Sequence, residues 1–265
     1  MEEHQAGNPD LEKVVHTLRA AGCVFAEEEA QLLISSAANE AELEQWIARR
    51  VEGYPLEHIV GWVAFGGLRI ALDPGVFVPR QRTEFLAEQA VSLVRSGDIV
   101  VDLCCGSGAL GAVVRARRPG IQLHAADIDP VAVQCARRNI RSDEGCVYEG
   151  NLFEPLPVEL QQQVHVLIAN APYVPTEALA FMPAEARIHE APLALDGGTD
   201  GLDVHRRIIA EASRWLAPEG AFIVEASEKQ APLLAELLAL HGLRSRTVHD
   251  EERDAHVVIG IRVDR

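Results

Sequence analysis

The sequence predicts an α/β fold: a mostly parallel sheet covered by helices on both faces, closed by an antiparallel hairpin and preceded by a small helical module. Two observations carry this. From Thr83 onward, short apolar runs alternate with amphipathic stretches of helical period, the pattern of parallel strands joined by crossover helices. At the C-terminal end, LRSRTVHD and HVVIGIRV lie close together across the polar link DEERDA, so the last strand runs back against its neighbour.

Each element follows in order. LEKVVHTLRAAG sets Leu11, Val14, Val15 and Leu18 on one helical face, with Gly22 placed as a C-cap. EEEAQLLISSA and EAELEQWIARRV are two further amphipathic helices. Residues 1–53 are therefore read as a helical module, either a packing lid or a surface that recognises a substrate. Tyr54 to Arg80 is rich in Gly, Pro and β-branched or aromatic residues. Alternation around LRIAL, followed by Asp73-Pro74-Gly75, predicts a β-hairpin linker over 54–80. The α/β domain is expected over 81–265. TEFLAEQAVSLV is its first helix and DIVVDL its first buried strand; GALGAVVRARR, PVAVQCARRNI, LDVHRRIIAEASRWL and KQAPLLAELLALHG are helices. IQLHAAD, GCVYEG, VHVLIAN and GAFIVEAS are strands, and Ala171 to Thr199 is a long irregular stretch.

Bulk properties set limits. A chain of 265 residues suits one domain plus a small module. No apolar run approaches the roughly 20 residues needed to span a membrane. The opening MEEHQAGNPD is acidic and shows no secretory signal, so a cytoplasmic location is expected. A net charge of −16 argues against general nucleic-acid binding, which needs clustered Lys and Arg; Arg115, Arg117 and Arg118 read as the solvated face and end of a helix. Cys23, Cys104, Cys105, Cys135 and Cys146 lack CxxC pairing or zinc-ligand spacing, so they are expected to be small fillers in a reducing compartment, with no metal. His58, His165, His189 and the other histidines show no triad or ligand pattern. The acid run Glu27–Glu29 reads as a solvated helix face, while Glu190 falls in the long loop that is able to close over a site.

The chemistry begins at VVDLCCGSGALG. Gly106, Gly108 and Gly111 fit G-x-G-x-x-G between a strand and a helix, and Asp127 stands about 20 residues on, at the end of the next strand. The glycines let backbone approach a ligand, and the acid can accept from both ribose hydroxyls. That pattern admits a dinucleotide or another adenosine cofactor. The second corner is NAPYVPT, Asn170 to Thr176, after the apolar strand run. It reads either as an Asx-type turn or as a grip on a planar nitrogen. Such a nitrogen is a poor nucleophile because its lone pair is delocalised. Two acceptors, the Asn170 side-chain oxygen and the Ala171 carbonyl, would orient it and localise its electron density, with Tyr173 packing on the flat group.

DLCCGSG with AADIDPVAV resembles motif I and the acidic strand end of S-adenosylmethionine-dependent methyltransferases. NAPY is similar to the [DNS]-P-P-[YFW] element of members that act on amide or amino nitrogens. The resemblance implies the seven-stranded, Rossmann-like fold of that superfamily and S-adenosyl-L-methionine as cofactor. Asp102, at the strand end, then either attracts the ammonium of the methionine tail or bonds the adjoining helix and loop. GWVAFGGLRIALDPGVFVPRQRTEFLAEQA is similar to the F-x-G-L … PR-x-x-TE stretch of the HemK/PrmC family of protein-glutamine methyltransferases. HEAPLALDGGTDGLDVHRRIIAEASRWLAPEGAFIVEASEKQ resembles its later E-P-x-x-A-L, G-x-D-G-L and E-x-x-x-x-Q segments.

The likeness covers nearly the whole chain. It implies methylation of the glutamine side-chain amide in the GGQ loop of a peptide chain release factor, or in another glutamine-bearing protein. By that resemblance Asn170, Ala171, Pro172 and Tyr173 hold the glutamine. Cys104, Cys105, Gly106, Ser107, Gly108, Asp127, Ile128, Leu152 and Asn170 hold the cofactor, Leu152 beside the adenine. Arg80, Thr83 and Glu84 stand at the domain junction, stabilising a hinge or touching ligand. The family usually has proline where this chain has Gln81 and Ala171. Alternatives are a small-molecule or peptide N-methyltransferase, an N6-adenine nucleic-acid methyltransferase, a cofactor-binding module without catalysis, and a nicotinamide dehydrogenase. The last lacks a hydride-transfer acid.

Overall fold

A computed structural model describes residues 9–263; the first eight residues, part of the stretch read for a signal and of the 1–53 module, lie outside the described residues. Three helices open the chain, α1 (Pro9–Ala20), α2 (Ala26–Ser36) and α3 (Glu40–Val51), followed by a single turn, α4 (Leu56–Val60). They close on a small core of Val14, Leu18, Ala26, Ala30, Leu33 and Ile59. Ile59 belongs to α4, so the chain past Tyr54 is still packing on the helical module where the sequence reading already placed the linker. Asn39 caps α3 by accepting from the Glu42 N–H at 3.0 Å.

The hairpin of β1 (Trp62–Phe65) and β2 (Leu68–Ala71) follows. Its reversal is Gly66-Gly67, with φ of 58° and 85°, the left-handed pair that a tight two-residue hairpin turn requires. Asp73-Pro74-Gly75 lies beyond the second strand and leads the chain away, Gly75 forming a β-bridge with Glu190.

The main sheet has seven strands in the order β5-β4-β3-β6-β7-β9-β8: β3 (Ile99–Leu103), β4 (Gln122–Asp127), β5 (Gly145–Glu149), β6 (Val164–Ala169), β7 (Leu216–Ala226), β8 (Leu243–Asp250) and β9 (Ala255–Arg262). All neighbours are parallel except those of β9, which is antiparallel to β7 and β8. Strand residues alternate between the two faces. Val100, Val166 and Ile168 pack under α5 (Glu84–Leu93), α6 (Ala109–Arg117) and α7 (Pro130–Asn139), together with the β1–β2 hairpin. Val101, Leu103 and Leu167 pack under α9 (Asp203–Trp215) and α10 (Ala231–Leu240). This is the fold expected.

Two details differ from the sequence reading. Strand β7 starts at Leu216, because Leu216 pairs with Val164 before the register shifts; Pro218 and Gly220 masked that start. The stretch 171–199 is not shapeless either. It holds 3-10 turns at Thr176–Phe181 and Pro192–Ala194 and the short helix α8 (Ala184–His189). It is tied down by a Val174–Asp196 bridge and by Arg50, which meets Glu185 at 2.5 Å and buried Glu29 at 2.6 Å. Glu29 is thus a buried partner, whereas Glu27 and Glu28 are exposed.

Candidate active site

Strand order reverses between β3 and β6: the chain goes from β3 outward to β4 on one side and to β6 on the other. Open α/β sheets bind ligands at such a switch point, beyond the carboxyl ends of the strands. Leu103 is level with Ala126 and with Ala169, so the residues that follow the three strand ends meet at one crevice. Its walls bound about 1380 Å³ of non-atom space, open solvent at the mouth included.

The first wall is the turn after β3. Cys104 and Gly106 take left-handed φ of 55° and 56°, a strained state for a cysteine. Gly106 faces open space, so its backbone is accessible to a ligand. Its N–H donates to Asp127 Oδ2 at 2.8 Å, and the Asp129 N–H donates to Asp127 Oδ1 at 2.9 Å. A carboxylate oxygen has a second lone-pair site, so Asp127 can still accept from hydroxyls, although burial raises its pKa. Burial also pushes the Cys104 and Cys105 thiols far above the usual thiol range; neither is a thiolate nucleophile. All five cysteines are free.

Two expected cofactor residues stand off this wall. Asp102 is fully buried beneath the turn, where Oδ2 accepts from the Gly111 N–H at 2.9 Å. Of its two readings, bonding to the helix is the contact present. Desolvation raises its pKa to about 7. Gly108 caps α6 with φ 77°, and a Cβ there would come within 3.0 Å of Ile140 and 3.2 Å of Ala136. Its lack of a side chain serves helix packing.

The opposite wall is the corner after β6. Asn170, Ala171, Pro172 and Tyr173 all line the crevice with Cys104, Cys105, Gly106, Ser107, Asp127, Ile128 and Leu152. Among the described residues the Asn170 side chain makes no hydrogen bond, and the Ala171 carbonyl accepts none. Tyr173 is held instead: its hydroxyl donates to Glu225 Oε1 at 3.1 Å and accepts from Arg82. Burial and the Glu225 carboxylate push the phenol far above its usual range, so Tyr173 stays protonated.

Other residues complete the rim. Arg80 pairs with buried Glu190 at 2.5 Å and lies 4.9 Å from the Phe77 ring centroid. Both hinge and ligand readings therefore hold a place for it, since Arg80 and Thr83 also line the crevice; Glu84 turns away and accepts from the Gly66 N–H at 2.9 Å. Arg82 and Arg207, also on the lining, were not singled out by sequence reasoning, because isolated charges carry no periodic signal.

The histidines divide. His58 is buried against the Val76 carbonyl at 2.8 Å, and His165 accepts from the Ile99 N–H at 3.1 Å. His249 and His256, read as carrying no triad or ligand pattern, are cross-strand partners with rings stacked at 4.0 Å. With Asp254 they offer ligand atoms within 4.8 Å of one another. This is a trio able to meet a cation, but His249 and Asp254 are exposed and none of the three lines the crevice.

Comparison with known proteins follows the same lines. Residues 67–201 match the model described as "Methyltransferase small domain". A protein of Gloeobacter violaceus named "Release factor glutamine methyltransferase" is 38% identical over 200 residues, 73% of this chain and 69% of its own. A Streptomyces pristinaespiralis protein named "4-amino-L-phenylalanine/4-methylamino-L-phenylalanine methyltransferase" is 34% identical over 215 residues, 78% and 72% of the two chains. Among solved structures, a methyltransferase from Pyrococcus furiosus superposes with a TM-score of 0.58 at 16% identity, covering 82% of this chain and 98% of that one. At that identity it speaks for the fold alone. No helix among the described residues is long and apolar enough to cross a membrane.

Proposed function

The chain belongs to the release factor glutamine methyltransferase family, and from that premise we propose that it methylates the side-chain amide nitrogen of a glutamine in a peptide chain release factor. S-adenosyl-L-methionine is the methyl donor, supplying an electrophilic methyl on a sulfonium. The observation that carries the reading is the pair of unengaged acceptors on the crevice wall, the Asn170 side chain and the Ala171 carbonyl, set across from Asp127 and the glycine turn.

An amide NH₂ has two donors, which match those two acceptors. Asn170 and Ala171 orient the nitrogen and draw electron density onto it as the new bond forms. Tyr173 and Pro172 pack on the flat amide. Tyr173 is kept protonated and so is no base for the first step. None is needed, since the nitrogen becomes acidic as it gains the methyl and then loses a proton to water. Cys104, Cys105, Gly106 and Ser107 wall the methionine tail, Asp127 accepts the ribose hydroxyls, and Ile128 and Leu152 flank the adenine. The helical module over 1–53 recognises the protein acceptor, and the 54–80 segment joins it to the transferase domain over 81–265. A release factor as acceptor places the reaction in the cytoplasm.

A second reading has one observation behind it: the Streptomyces pristinaespiralis relative is named for an aryl amine. An aryl amine also has a delocalised lone pair and two N–H donors, so the same corner suits it. Isotopically labelled S-adenosylmethionine, offered with a release factor, an adenine oligonucleotide and 4-aminophenylalanine in parallel, separates the readings. Label on the glutamine of the GGQ loop is expected. Label confined to the amino acid or the oligonucleotide would sink the proposal.

A further inference from the structure

Two side chains of the E-x-x-x-x-Q segment, Glu225 and Gln230, have no part in the chemistry above, yet both are nearly inaccessible, at 3% and 6% exposure. Glu225 is near the end of β7 and Gln230 immediately precedes α10. Neither lines the crevice. Both reach the same residue.

Glu225 Oε1 accepts from the Tyr173 hydroxyl at 3.1 Å and from Arg82 Nε at 3.2 Å, and Arg82 also donates to the Tyr173 hydroxyl. Gln230 Nε2 donates to the Tyr173 carbonyl at 2.9 Å and to the Asp200 carbonyl at 3.1 Å. Its own amide is oriented by Ser227, whose hydroxyl donates to Oε1 at 2.8 Å. Room for this contact comes from Gly201: a Cβ there would lie 2.2 Å from the Tyr173 carbonyl oxygen and 2.4 Å from Gln230 Nε2. The φ of Gly201 is 76°, which a side chain would also oppose. The E-x-x-x-x-Q and G-x-D-G-L segments thus converge on one tyrosine, gripping it at the hydroxyl and at the carbonyl.

We infer that Glu225 and Gln230 are positioning residues that clamp Tyr173 from both ends and so set the direction of the Asn170 and Ala171 acceptors. The physical reason is distance along the chain. The Ala171 carbonyl is two residues from the pinned Tyr173 carbonyl, with rigid Pro172 between them. Alanine at 171 has no ring to lock its own φ as proline would, so the corner's aim depends also on what holds its far end. Acceptors that must meet two N–H groups lose rate steeply with misplacement, about 100-fold for roughly 1 Å. The inference rests on the proposed reading of that corner as the nitrogen grip.

The test uses the full-length protein and separates the two ideas. Methyl transfer by the unaltered protein to a release factor is measured first; if another acceptor takes the label, the proposed substrate falls and the same variants are assayed on that acceptor. Gln230→Ala is expected to lower kcat about 10-fold or more, with the Kd for S-adenosylmethionine within about twofold of the parent. Glu225→Gln keeps an acceptor for the hydroxyl but releases Arg82, and serves if Gln230→Ala folds poorly. A cycle of Glu225→Gln with Tyr173→Phe reads the coupling: if Glu225 acts through the hydroxyl, the double variant loses no more kcat than the worse single one. Multiplying losses, or Gln230→Ala within about twofold of parental kcat, would overturn the inference. One readout needs no acceptor. In an ultraviolet titration of the three tyrosines, Glu225→Gln should bring one phenol to lower pH. An unchanged curve would reject the grip at the hydroxyl.

Discussion

Asp102 makes the fold pH-dependent in a direction opposite to most carboxylates. It is fully buried; among the described residues one oxygen accepts only the Gly111 N–H at 2.9 Å, and the other has no partner. Desolvation, aided by the nearby Asp127 charge, raises its pKa from 3.8 to about 7. The folded state therefore binds a proton that the unfolded state has already lost, and stability falls as pH rises from about 4 to about 7. At about 1.4 kcal/mol per pH unit, the cost is under about 2 kcal/mol at pH 5 and about 4 kcal/mol at pH 8. Asp102→Asn imitates the protonated acid. It keeps an oxygen for Gly111 and stays neutral, so its stability carries no such slope. Urea unfolding of the cofactor-free proteins at both pH values gives the comparison. The advantage of the variant over the parent should widen by about 3 kcal/mol from pH 5 to pH 8. Parallel stability curves would show that Asp102 is already ionised in the fold.

Three further outcomes follow from the same geometry. Asn170→Ala removes one of the two unengaged acceptors; kcat should fall about 100- to 1,000-fold while cofactor affinity, read by calorimetry, stays close to that of the parent. Near-normal turnover would remove this corner from the catalytic machinery. Asp127→Ala should do the reverse, weakening S-adenosylmethionine binding about 10- to 100-fold through the lost charged acceptor; unchanged affinity rejects its ribose role. Arg50→Met leaves buried Glu29 without its cation, and a destabilisation of about 3 kcal/mol or more is expected in urea unfolding. A variant as stable as the parent would mean that Glu29 finds water once the arginine is gone.

The alternation of strands and helices from Thr83 was legible because the central strands β3 and β6 are buried on both faces and so read as apolar runs. The glycine turn and Asp127 were legible because spacing alone places them. The Gly66-Gly67 reversal was present in the sequence but was overshadowed by Asp73-Pro74-Gly75, which has the stronger turn composition and a different task. Asp102, at a strand end, read equally as a partner of a ligand's ammonium group or of the adjoining helix and loop; only the three-dimensional course of α6 brings the Gly111 N–H onto it. Contacts between distant segments left no local mark. Arg82, Tyr173 and Glu225 are separated by 91 and 52 residues along the chain, and His249 meets His256 only through the register of β8 and β9.

The two positions where family members usually have proline bear on stiffness more than on chemistry. Gln81 opens a 3-10 turn, and Arg80 before it is already extended, with φ −89° and ψ 144°, the region that a following proline would itself impose. At 171 the group proposed to act is the backbone carbonyl, which alanine keeps. Pro172 biases Ala171 toward the extended region, and Ala171 is itself 1% exposed, so packing restricts it further. Neither change removes a donor, an acceptor or a charge from the crevice. What distinguishes a glutamine in a protein loop from a free aryl amine is then the space around the reacting nitrogen. Met182 and Leu193 from the 171–199 stretch line the crevice, and Arg50 fastens the same stretch to the helical module through Glu185. On the proposed reading of that corner, choice of acceptor turns on this strap and its anchorage, because the Asn170 and Ala171 acceptors would meet any planar nitrogen that the strap admits.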